Sequence, residues 1–316
     1  MSLRTILAFA LSLALGPCAA LAEVGTRLSP APKTRMVMTW VAPYAVGASI
    51  MQLDRLHDGA GPKNALTHLG LQFWTPSAAG GIAPTSRYGA VSDAQIRQLV
   101  TWGNRNGVKT LLTVYNGEYG WDWALAKNAF AANRGKFIDA LIDEMQLRQL
   151  DGIDLDLEGA EYLCGCEYDE DKAAYLVFVR QLSRRVRALG KALTVDTFAY
   201  IWNVPNQTWW AELFPLVDAV NSMGYEEIGM RGGPEAWRRY SEQKRAAGGN
   251  ARKLLIGMPA NFGSWHNNTA QQQVNWVKVW GGMTGVAIWD AQLPDPAWRS
   301  AAMWSHLKAI SDTIVP

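Results

Sequence analysis

Cysteine and histidine are scarce in this sequence, with 3 and 4 residues among 316. So few cysteines exclude a fold held together by a framework of several disulfides. The histidines are scattered along the chain, at His57, His68, His266 and His306. Since none of them lies beside a second pair of candidate ligands, we expect no metal site. No GxGxxG pattern follows an apolar run, and no cofactor is expected.

An excess of charge of one sign is also missing. The chain carries 30 basic and 28 acidic residues, which gives a net charge of +2, and it contains no basic run. We therefore expect no nucleic-acid partner. No apolar run is long enough to cross a bilayer, so no membrane span is expected.

The first 22 residues are typical of a secretory signal peptide. Arg4 supplies a positive charge, residues 6–15 are largely apolar, and residues 20–22 offer a small-residue cleavage site. Cys18 raises a lipoprotein alternative, but Pro17 before it fits that processing poorly. We expect an exported protein, periplasmic or secreted, with a mature chain of 294 residues (316 minus 22).

The mature chain, residues 23–316, contains no internal repeat, no low-complexity segment and no linker rich in Ser, Pro or Gly. Its length suits one large α/β barrel as well as two ordinary domains. The missing linker favours a single domain, which we expect to be a monomer.

Strand-like apolar runs and helical patterns alternate eight times along the mature chain. The runs are residues 35–41, 65–73, 109–115, 152–158, 192–199, 219–225, 253–259 and 285–289. Ser92 and Gln95 form a capping box that begins one helix. Weaker helices are expected at residues 50–56, 209–216, 235–246, 271–280 and 297–314. Eight strands alternating with helices predict parallel pairing in a closed (β/α)8 barrel, the TIM-barrel fold.

Residues 153–158 alternate strictly between apolar and acidic side chains, which is the period of a strand whose faces have different surroundings. Asp154, Asp156 and Glu158 share one face, and neighbours on that face are only ~6.6 Å apart along the strand. Like charges so close cannot all ionise freely, so at least one carboxyl pKa should be raised. A raised carboxyl pKa suits a general acid near neutral pH.

Two other interpretations of this stretch fail. An exposed amphipathic strand would have an acidic face, but helical patterns flank this strand on both sides. A calcium loop beginning at Asp154 requires a glutamate at its twelfth position and an apolar residue at its eighth. Those positions hold Gly165 and Glu161.

The eight residues from Asp151 to Glu158 resemble the DGxDxDxE signature of glycoside hydrolase family 18, the chitinases and endo-β-N-acetylglucosaminidases. Met223-Gly224-Tyr225-Glu226 resembles the family's Met-x-Tyr-Asp segment, with Glu226 in place of Asp. Trp289 ends the eighth strand, where the family places a tryptophan under the sugar. Residues 113–117 depart from the family's Ser-x-Gly-Gly end of the third strand.

The resemblance implies a role for each of these residues. Most glycosidases use two carboxyl groups, but this family uses the substrate's own acetamido group. Glu158 would protonate the glycosidic oxygen, Asp156 would orient the 2-acetamido group, and Asp154 would share a proton with Asp156. Tyr225 would hold the acetamido oxygen, and Trp289 would form the floor of the site. Asp151 has the opposite parity, and we expect it to be a structural acid near the start of the strand.

Further substrate contacts are expected at the strand ends, from Met223, Glu226, Trp40, Phe73, Trp121, Trp202 and Asn116. Indole rings stack on the apolar faces of sugars. We expect Trp74, Trp121, Trp123, Trp202 and Trp265 to line a groove with several subsites. Tryptophans in helical stretches, at Trp102, Trp237, Trp276, Trp280, Trp298 and Trp304, are expected to pack in the core.

Two features bear on the shape of the cleft. Only about 25 residues separate Pro259 from Gly285, so the extra α/β domain that walls the groove in many family chitinases cannot fit. Cys164 and Cys166 lie in the loop after Glu158; they form either a strained disulfide across Gly165 or two free thiols.

The sequence therefore predicts a retaining, endo-acting hydrolase, chitinase-like, that cleaves β-1,4 bonds next to N-acetylglucosamine. Its partner would be an oligo- or polysaccharide that contains N-acetylglucosamine. One alternative is an endo-β-N-acetylglucosaminidase that acts on N-glycan cores or on cell-envelope amino-sugar polymers. A carbohydrate-binding protein without turnover and a scaffold protein are alternatives from other classes. The intact acidic motif argues against both.

Overall fold

A computed structural model describes residues 35–159, 165–201, 203–225, 233–260, 264–265, 268–282 and 284–314, and these belong to one compact unit, Pro32–Pro316. In chain order the strands are β1 (Val37–Val41), β2 (His68–Pro76), β3 (Ile82–Pro84), β4 (Lys109–Tyr115), β5 (Gly152–Asp156), β6 (Ala192–Thr197), β7 (Ala219–Ser222), β8 (Leu254–Pro259), β9 (Ser264–Trp265), β10 (Asn268–Thr269) and β11 (Gly285–Trp289). All except β3, β9 and β10 belong to the barrel.

The eight barrel strands are parallel and form a closed ring. Neighbours follow the order β1, β11, β8, β7, β6, β5, β4 and β2, and β2 pairs with β1 to close the ring. Met38 of β1 is in register with His68 of β2 on one side and with Ala287 of β11 on the other. The protein is therefore a single-domain (β/α)8 barrel, as predicted.

Helices connect the strands on the outside of the ring. They are α1 (Val46–Leu53), α2 (Pro62–Ala65), α3 (Asp93–Asn106), α4 (Trp123–Lys127), α5 (Arg134–Leu147), α6 (Gly165–Ala188), α7 (Trp210–Leu213), α8 (Gly233–Ala247), α9 (Ala270–Val279) and α10 (Ala301–Asp312). The predicted capping box begins α3, since the Ser92 and Gln95 side chains each bond the other's backbone. No helix among the described residues is long and apolar enough to cross a membrane.

Two apolar clusters form the core. The larger one lies between the strands and the helices and includes the outward side chains Ile153, Leu155 and Leu157. The smaller one fills the inside of the barrel with Met38, Trp40, Leu111, Ala192, Ala219, Leu255 and Ala287. Gly70 of β2 makes space for the Trp40 indole, since a Cβ there would lie 2.4 Å from its ring.

All eight predicted strands are present, with ends that differ by a few residues. β2 begins at His68 rather than at residue 65, because Pro62–Ala65 forms α2. β5 ends at Asp156, so Glu158 lies two residues beyond the ladder. The helix expected at residues 209–216 is shorter, since a 3-10 turn, Gln207–Trp209, precedes α7.

Strand β2 contains a bulge that the sequence did not predict. Leu71 pairs with Leu112 and Trp74 with Val114, so β2 has one residue more than β4 over this interval. A bulge of this kind shifts the alternation of the side chains that follow it. Gln72 points into the barrel, whereas Trp74 points outward and donates a hydrogen bond of 3.1 Å to Glu144 of α5.

The segment between β8 and β11 is short, as expected. The 25 residues from Ala260 to Thr284 include the β9–β10 hairpin and α9, and they leave no room for an inserted α/β domain. One prediction for this region is wrong. Trp280 follows the last residue of α9 with 68% of its surface exposed, so it does not pack in the core.

Candidate active site

Strand β5 brings three carboxyl groups into the mouth of the barrel. Asp154 and Asp156 point inward because the alternation of the strand buries Ile153 and Leu155 against the helices. Glu158 has the same parity and is also buried. The carboxyl ends of the strands in a (β/α)8 barrel are where active sites form.

Asp154 is the deepest of the three and is fully hydrogen-bonded. One carboxylate oxygen accepts from Trp40 Nε1 at 2.8 Å and from Thr113 Oγ1 at 3.0 Å, and the other accepts from Thr194. Burial raises the pKa of Asp154, and these three hydrogen bonds act in the opposite direction. Asp154 is therefore held in one orientation directly below Asp156.

Asp156 and Glu158 are hydrogen-bonded to each other. Burial raises the pKa of Asp156 to about 7. The hydrogen bond with Glu158 limits the rise, and so does Gln72, whose Nε2 donates to Asp156 Oδ2 at 2.8 Å. Burial, followed by the negative charge of Asp156, raises the pKa of Glu158 well above its usual range. Asp156 Oδ1 receives no hydrogen bond from an N–H or hydroxyl group of the described residues. A proton carried by Glu158 would satisfy it.

The backbone of Glu158 is held from both sides. Asn116, just beyond β4, donates from Nδ2 to the Glu158 carbonyl oxygen and accepts at Oδ1 from the Glu158 N–H, each at 2.8 Å. On the other side Gly159 and Val204 exchange two backbone hydrogen bonds. The segment beyond β5 is thereby kept in the position of a strand without belonging to the sheet.

Tyr225 follows β7 and brings a phenol group to the carboxyl cluster. Burial, followed by the nearby negative charges of Asp196, Asp156 and Glu158, raises the pKa of Tyr225 well above its usual range, so it remains a neutral hydroxyl. Its ring lies against Gly257 of β8, where a Cβ would meet ring carbons at 3.0 Å. Gly257 therefore makes space for the tyrosine.

A fourth buried carboxyl, Asp196 of β6, faces the same space. It accepts a hydrogen bond from Asn221 Nδ2 of β7. Burial, followed by the charges of Asp154 and Asp156, raises the pKa of Asp196 well above its usual range. Sequence reasoning missed this residue because residues 192–199 were assigned as an apolar strand. The signal that could have found Asp196 is an acidic residue inside that strand, on the same face as Thr194.

Trp289 ends β11 and is partly exposed at the mouth. Its ring lies 5.9 Å from that of Trp40, at an interplanar angle of 51°. Asp290, the next residue, accepts a hydrogen bond of 3.1 Å from the hydroxyl of Tyr44 in the loop after β1. Trp289 therefore offers a ring face at the position where the resemblance places the floor of the site.

Four exposed aromatic side chains follow β1, β3 and β4, and we call them the aromatic rim: Tyr44, Tyr88, Tyr119 and Trp121. Tyr44 and Tyr88 pack edge to face, with ring centroids 5.4 Å apart. The buried carboxyl of Glu118 connects the loop after β4 to the loop after β3, since it accepts hydrogen bonds from the backbone N–H groups of Ser86 and Arg87. Tyr115, just inside the rim, has a buried hydroxyl with no hydrogen-bond partner among the described residues.

The structure does not place every predicted contact at the surface of the site. Phe73 is 2% exposed and packs in the outer apolar cluster, so the expected sugar contact is wrong for this residue. Trp40 is 1% exposed and supports Asp154 from below rather than meeting a sugar. Both amide atoms of Asn116 bind the backbone of Glu158, which makes it a positioning residue instead of a substrate contact.

Two of the tryptophans expected in the groove are structural. Trp74 bonds Glu144 of α5, and Trp123 donates to Asp171 of α6 at 2.8 Å while packing against Phe130. Trp121 is at the rim, with 39% of its surface exposed, and Met223 is partly exposed just beyond β7. Trp202, Glu226, Cys164 and the side chains of Trp265 and Cys166 lie outside the described residues.

Asp151 has the structural position expected for it. One of its carboxylate oxygens accepts from the Thr110 N–H at 2.9 Å, and the other lies 3.9 Å from Lys191 Nζ. It is at the opposite end of β5 from Glu158. Within the described part of the chain, no group of three or more His, Cys, Asp or Glu has the arrangement of a metal site.

A (β/α)8 barrel with buried carboxyl groups at the end of one strand is an arrangement that glycoside hydrolases use. Residues 43–305 match the sequence profile of Glycosyl hydrolases family 18. The chain belongs to this family.

One curated relative and several solved structures are similar to the chain. The chain is 29% identical over 119 residues, 34% of its length, to the killer toxin subunits alpha/beta of Kluyveromyces lactis, but it spans only 10% of that protein. A chitinase of Chromobacterium violaceum is 15% identical with a TM-score of 0.65, covering 88% of this chain and 98% of its own.

Two further structures share the fold. The spore cortex-lytic enzyme of Bacillus cereus is 15% identical with a TM-score of 0.60, and the match covers 90% of this chain and 76% of that one. The Group IV chitinase of Ostrinia furnacalis, solved in complex with allosamidin, is 18% identical with a TM-score of 0.56, and the match covers 71% and 66%. At these identities the likeness concerns the fold alone.

Proposed function

We propose that the protein is a retaining, endo-acting glycoside hydrolase, chitinase-like, that cleaves β-1,4 bonds next to N-acetylglucosamine by substrate assistance. The observation that carries this proposal is the hydrogen-bonded pair of Asp156 and Glu158, both with raised pKa values, on one face of β5. Because the two carboxyl groups leave from the same side, they cannot flank a sugar as an acid and a nucleophile on opposite faces.

In the proposed reaction Glu158 gives its proton to the glycosidic oxygen as the bond to the anomeric carbon breaks. The carbonyl oxygen of the substrate's 2-acetamido group attacks that carbon and forms a cyclic oxazolinium ion. Water then attacks the same carbon and gives a proton to Glu158, which restores the enzyme. Two inversions at one carbon give overall retention.

The other residues of the site have supporting roles in this scheme. Ionised Asp156 accepts a hydrogen bond from the acetamido N–H and stabilises the positive charge that develops next to it. Gln72 holds Asp156 in position, and the charge of Asp154 below it raises the pKa of Asp156. The neutral hydroxyl of Tyr225 donates to the acetamido oxygen, and Trp289 supports the sugar ring.

We propose an open cleft that admits the middle of a polymer chain. The segment between β8 and β11 supports this, since its 25 residues are too few for an added α/β domain along that side of the mouth. The aromatic rim supports it further, because it extends the sugar-binding surface away from Glu158 along the loops after β1, β3 and β4. We also propose that residues 1–22 direct export and are removed. A mature protein that begins at Glu23 in exported material would agree with this.

Product analysis tests the proposal. Purified protein is incubated with soluble chitin oligomers, a deacylated control polymer, an N-glycoprotein and peptidoglycan, and the products are separated by mass spectrometry. We expect cleavage of chitin oligomers with retention at the anomeric carbon, and inhibition by allosamidin. The viscosity of a long soluble polymer should fall early. Release of disaccharide alone from the first minutes would contradict internal cleavage.

The alternatives correspond to other outcomes of the same experiment. Cleavage of the N-glycoprotein or of peptidoglycan in preference to chitin would identify an endo-β-N-acetylglucosaminidase. Binding of oligomers without turnover would identify a carbohydrate-binding protein. Hydrolysis of polymers that lack the acetamido group at a comparable rate would rule out substrate assistance.

A further inference from the structure

Asp196 is placed beside Asp156 by the register of the barrel. Asp154 is opposite Thr194 and Leu155 is opposite Val195, so the next inward pair along β5 and β6 is Asp156 and Asp196. Neighbouring parallel strands are ~4.8 Å apart, so the two carboxyl groups project from adjacent positions into the same space. The next strand contributes Asn221, in register with Asp196.

Among the described residues, no positively charged group is close enough to Asp196 to offset its charge. It is 2% exposed, and the Asn221 amide that donates to one of its oxygens is neutral. The charged groups that face it are the carboxyls Asp154, Asp156 and Glu158 of β5 and the segment after it. Tyr225, after β7, and Tyr175, on α6, are phenols that lie close enough to sense its charge. A carboxyl buried among like charges retains its proton to a higher pH than an exposed one.

The roles of Asp154, Asp156, Glu158 and Tyr225 in the proposed reaction do not include Asp196. Yet four carboxyl groups in one water-poor space titrate as a set, because each ionisation makes the next one harder. Glu158 must keep a proton to act as the acid. The negative charge of Glu158 raises the pKa of Asp196. Because the repulsion between two carboxylates is reciprocal, an ionised Asp196 helps Glu158 to retain its proton.

We propose that Asp196 is a positioning residue of this site, a fourth carboxyl that shares its protons and keeps Glu158 protonated as the pH rises. It acts through Asp156 and Glu158 and need not touch the substrate. The inference rests on the proposed function of the site, since it assigns Glu158 the role of the acid.

The pH profile of kcat/KM on a fluorogenic chito-oligosaccharide tests this role. Asp196→Asn preserves the shape of the side chain and its contact with Asn221, and it removes one ionisable group. We expect the alkaline limb to move to lower pH by about one unit, because Glu158 loses a neighbouring negative charge. The acid limb should move less, since Asp196 is still neutral at that pH.

The matched control is Asp218→Asn. Asp218 immediately precedes β7 at the other end of the barrel, where it accepts a hydrogen bond from the Leu193 N–H at 2.8 Å. The Asp218→Asn substitution removes one carboxyl group far from Glu158 and should leave both limbs of the pH profile in place. If the alkaline limb of Asp196→Asn superimposes on that of the wild type, the proposal is wrong, even if activity falls.

A second variant and a second measurement guard against loss of folding or of activity. Asn221→Ala removes the donor to Asp196, which makes Asp196 ionise at higher pH, and should move the alkaline limb in the same direction by less. Carbon-13 NMR titration of labelled carboxyl groups needs no substrate. If no amino-sugar polymer is cleaved, the proposed function fails, but Asp196→Asn must still lower the titration midpoint of Glu158. An unchanged midpoint would overturn the inference.

Discussion

Asn116 and Glu158, 42 residues apart in the chain, exchange two hydrogen bonds that mimic a continued strand pair. The side-chain amide of Asn116 takes the place of a backbone peptide group, so Glu158 is fixed although β5 has already ended. A general acid is effective only where its proton meets the leaving oxygen, so the orientation of this backbone controls the reaction.

Asn116→Ala should therefore reduce kcat on the order of 10- to 100-fold while KM changes little, since a misplaced acid affects the transition state and not the bound substrate. Steady-state kinetics on a chito-oligosaccharide measure this. Asn106→Ala is the control, because Asn106 also bonds a backbone carbonyl but lies at the end of α3. A rise in KM with kcat unchanged would mean that Asn116 binds the sugar directly.

Glu158→Gln should lower kcat/KM by at least about 100-fold and leave oligosaccharide binding nearly intact, because the amide keeps the shape and lacks the acidic proton. Calorimetric titration with a chitin oligomer measures the binding. Asp151→Asn removes a charge at the opposite end of the same strand and should retain most of the activity. A Glu158→Gln protein with more than a few per cent of wild-type activity would show that another group is the acid.

Gln72→Leu should move the acid limb of the pH profile to higher pH. The Gln72 amide donates to Asp156 and favours its ionised form, so its loss raises the pKa of Asp156 above its value of about 7. The reaction needs Asp156 ionised, so activity begins at a higher pH. The alkaline limb is an internal control, and movement of both limbs by the same amount would indicate a general disturbance of the site.

The carboxyl cluster should destabilise the fold as the pH rises. The folded-state pKa of Glu158 is above its unfolded value of about 4.3, so its contribution to stability is complete below that pH and is lost as the pH rises through the folded value. Glu158→Gln cannot lose a proton, so its Tm should exceed that of the wild type by more at about pH 8 than at about pH 4. Thermal unfolding at both pH values tests this, and an equal difference would contradict it.

Trp121→Ala should weaken binding of long oligomers by roughly 2- to 10-fold, the range expected for loss of one aromatic stacking contact. The shortest cleavable substrate should be unaffected, because Trp121 lies on the aromatic rim and not beside Glu158. KM measured against oligomer length shows the difference. Trp280→Ala removes an indole outside the rim that is even more exposed, and a similar loss there would argue against a specific subsite.

The sequence predicted those features that depend on local periodicity. The alternation of residues 153–158 determined which carboxyl groups face inward, and the apolar runs located all eight barrel strands. The capping box at Ser92 needs only residues three apart, so it was visible as well. Periodicity determines the direction of a side chain within an element, and those predictions hold.

The remaining features depend on contacts between distant segments. Gln72 reaches Asp156 only because β2 and β5 lie on either side of β4 in the ring, and nothing near residue 72 indicates this. The roles of Asn116 and Trp40 changed for the same reason, since their partners are 42 and 114 residues away. Trp280 was assigned to the core because the sequence does not show that α9 ends at Val279, one residue before it.

The bulge in β2 has a consequence for how such a site can change over time. Without one of the two residues between Leu71 and Trp74 the spacing would be regular, and Trp74 would still face α5. Loss of Gln72 alone would leave Phe73 as the inward residue, an aromatic side chain in place of an amide beside Asp156, while every other strand remains unaltered. A change of one residue in the length of β2 can therefore change which side chain lies beside the catalytic carboxyl groups. A comparison of aligned residue identities would overlook such a change.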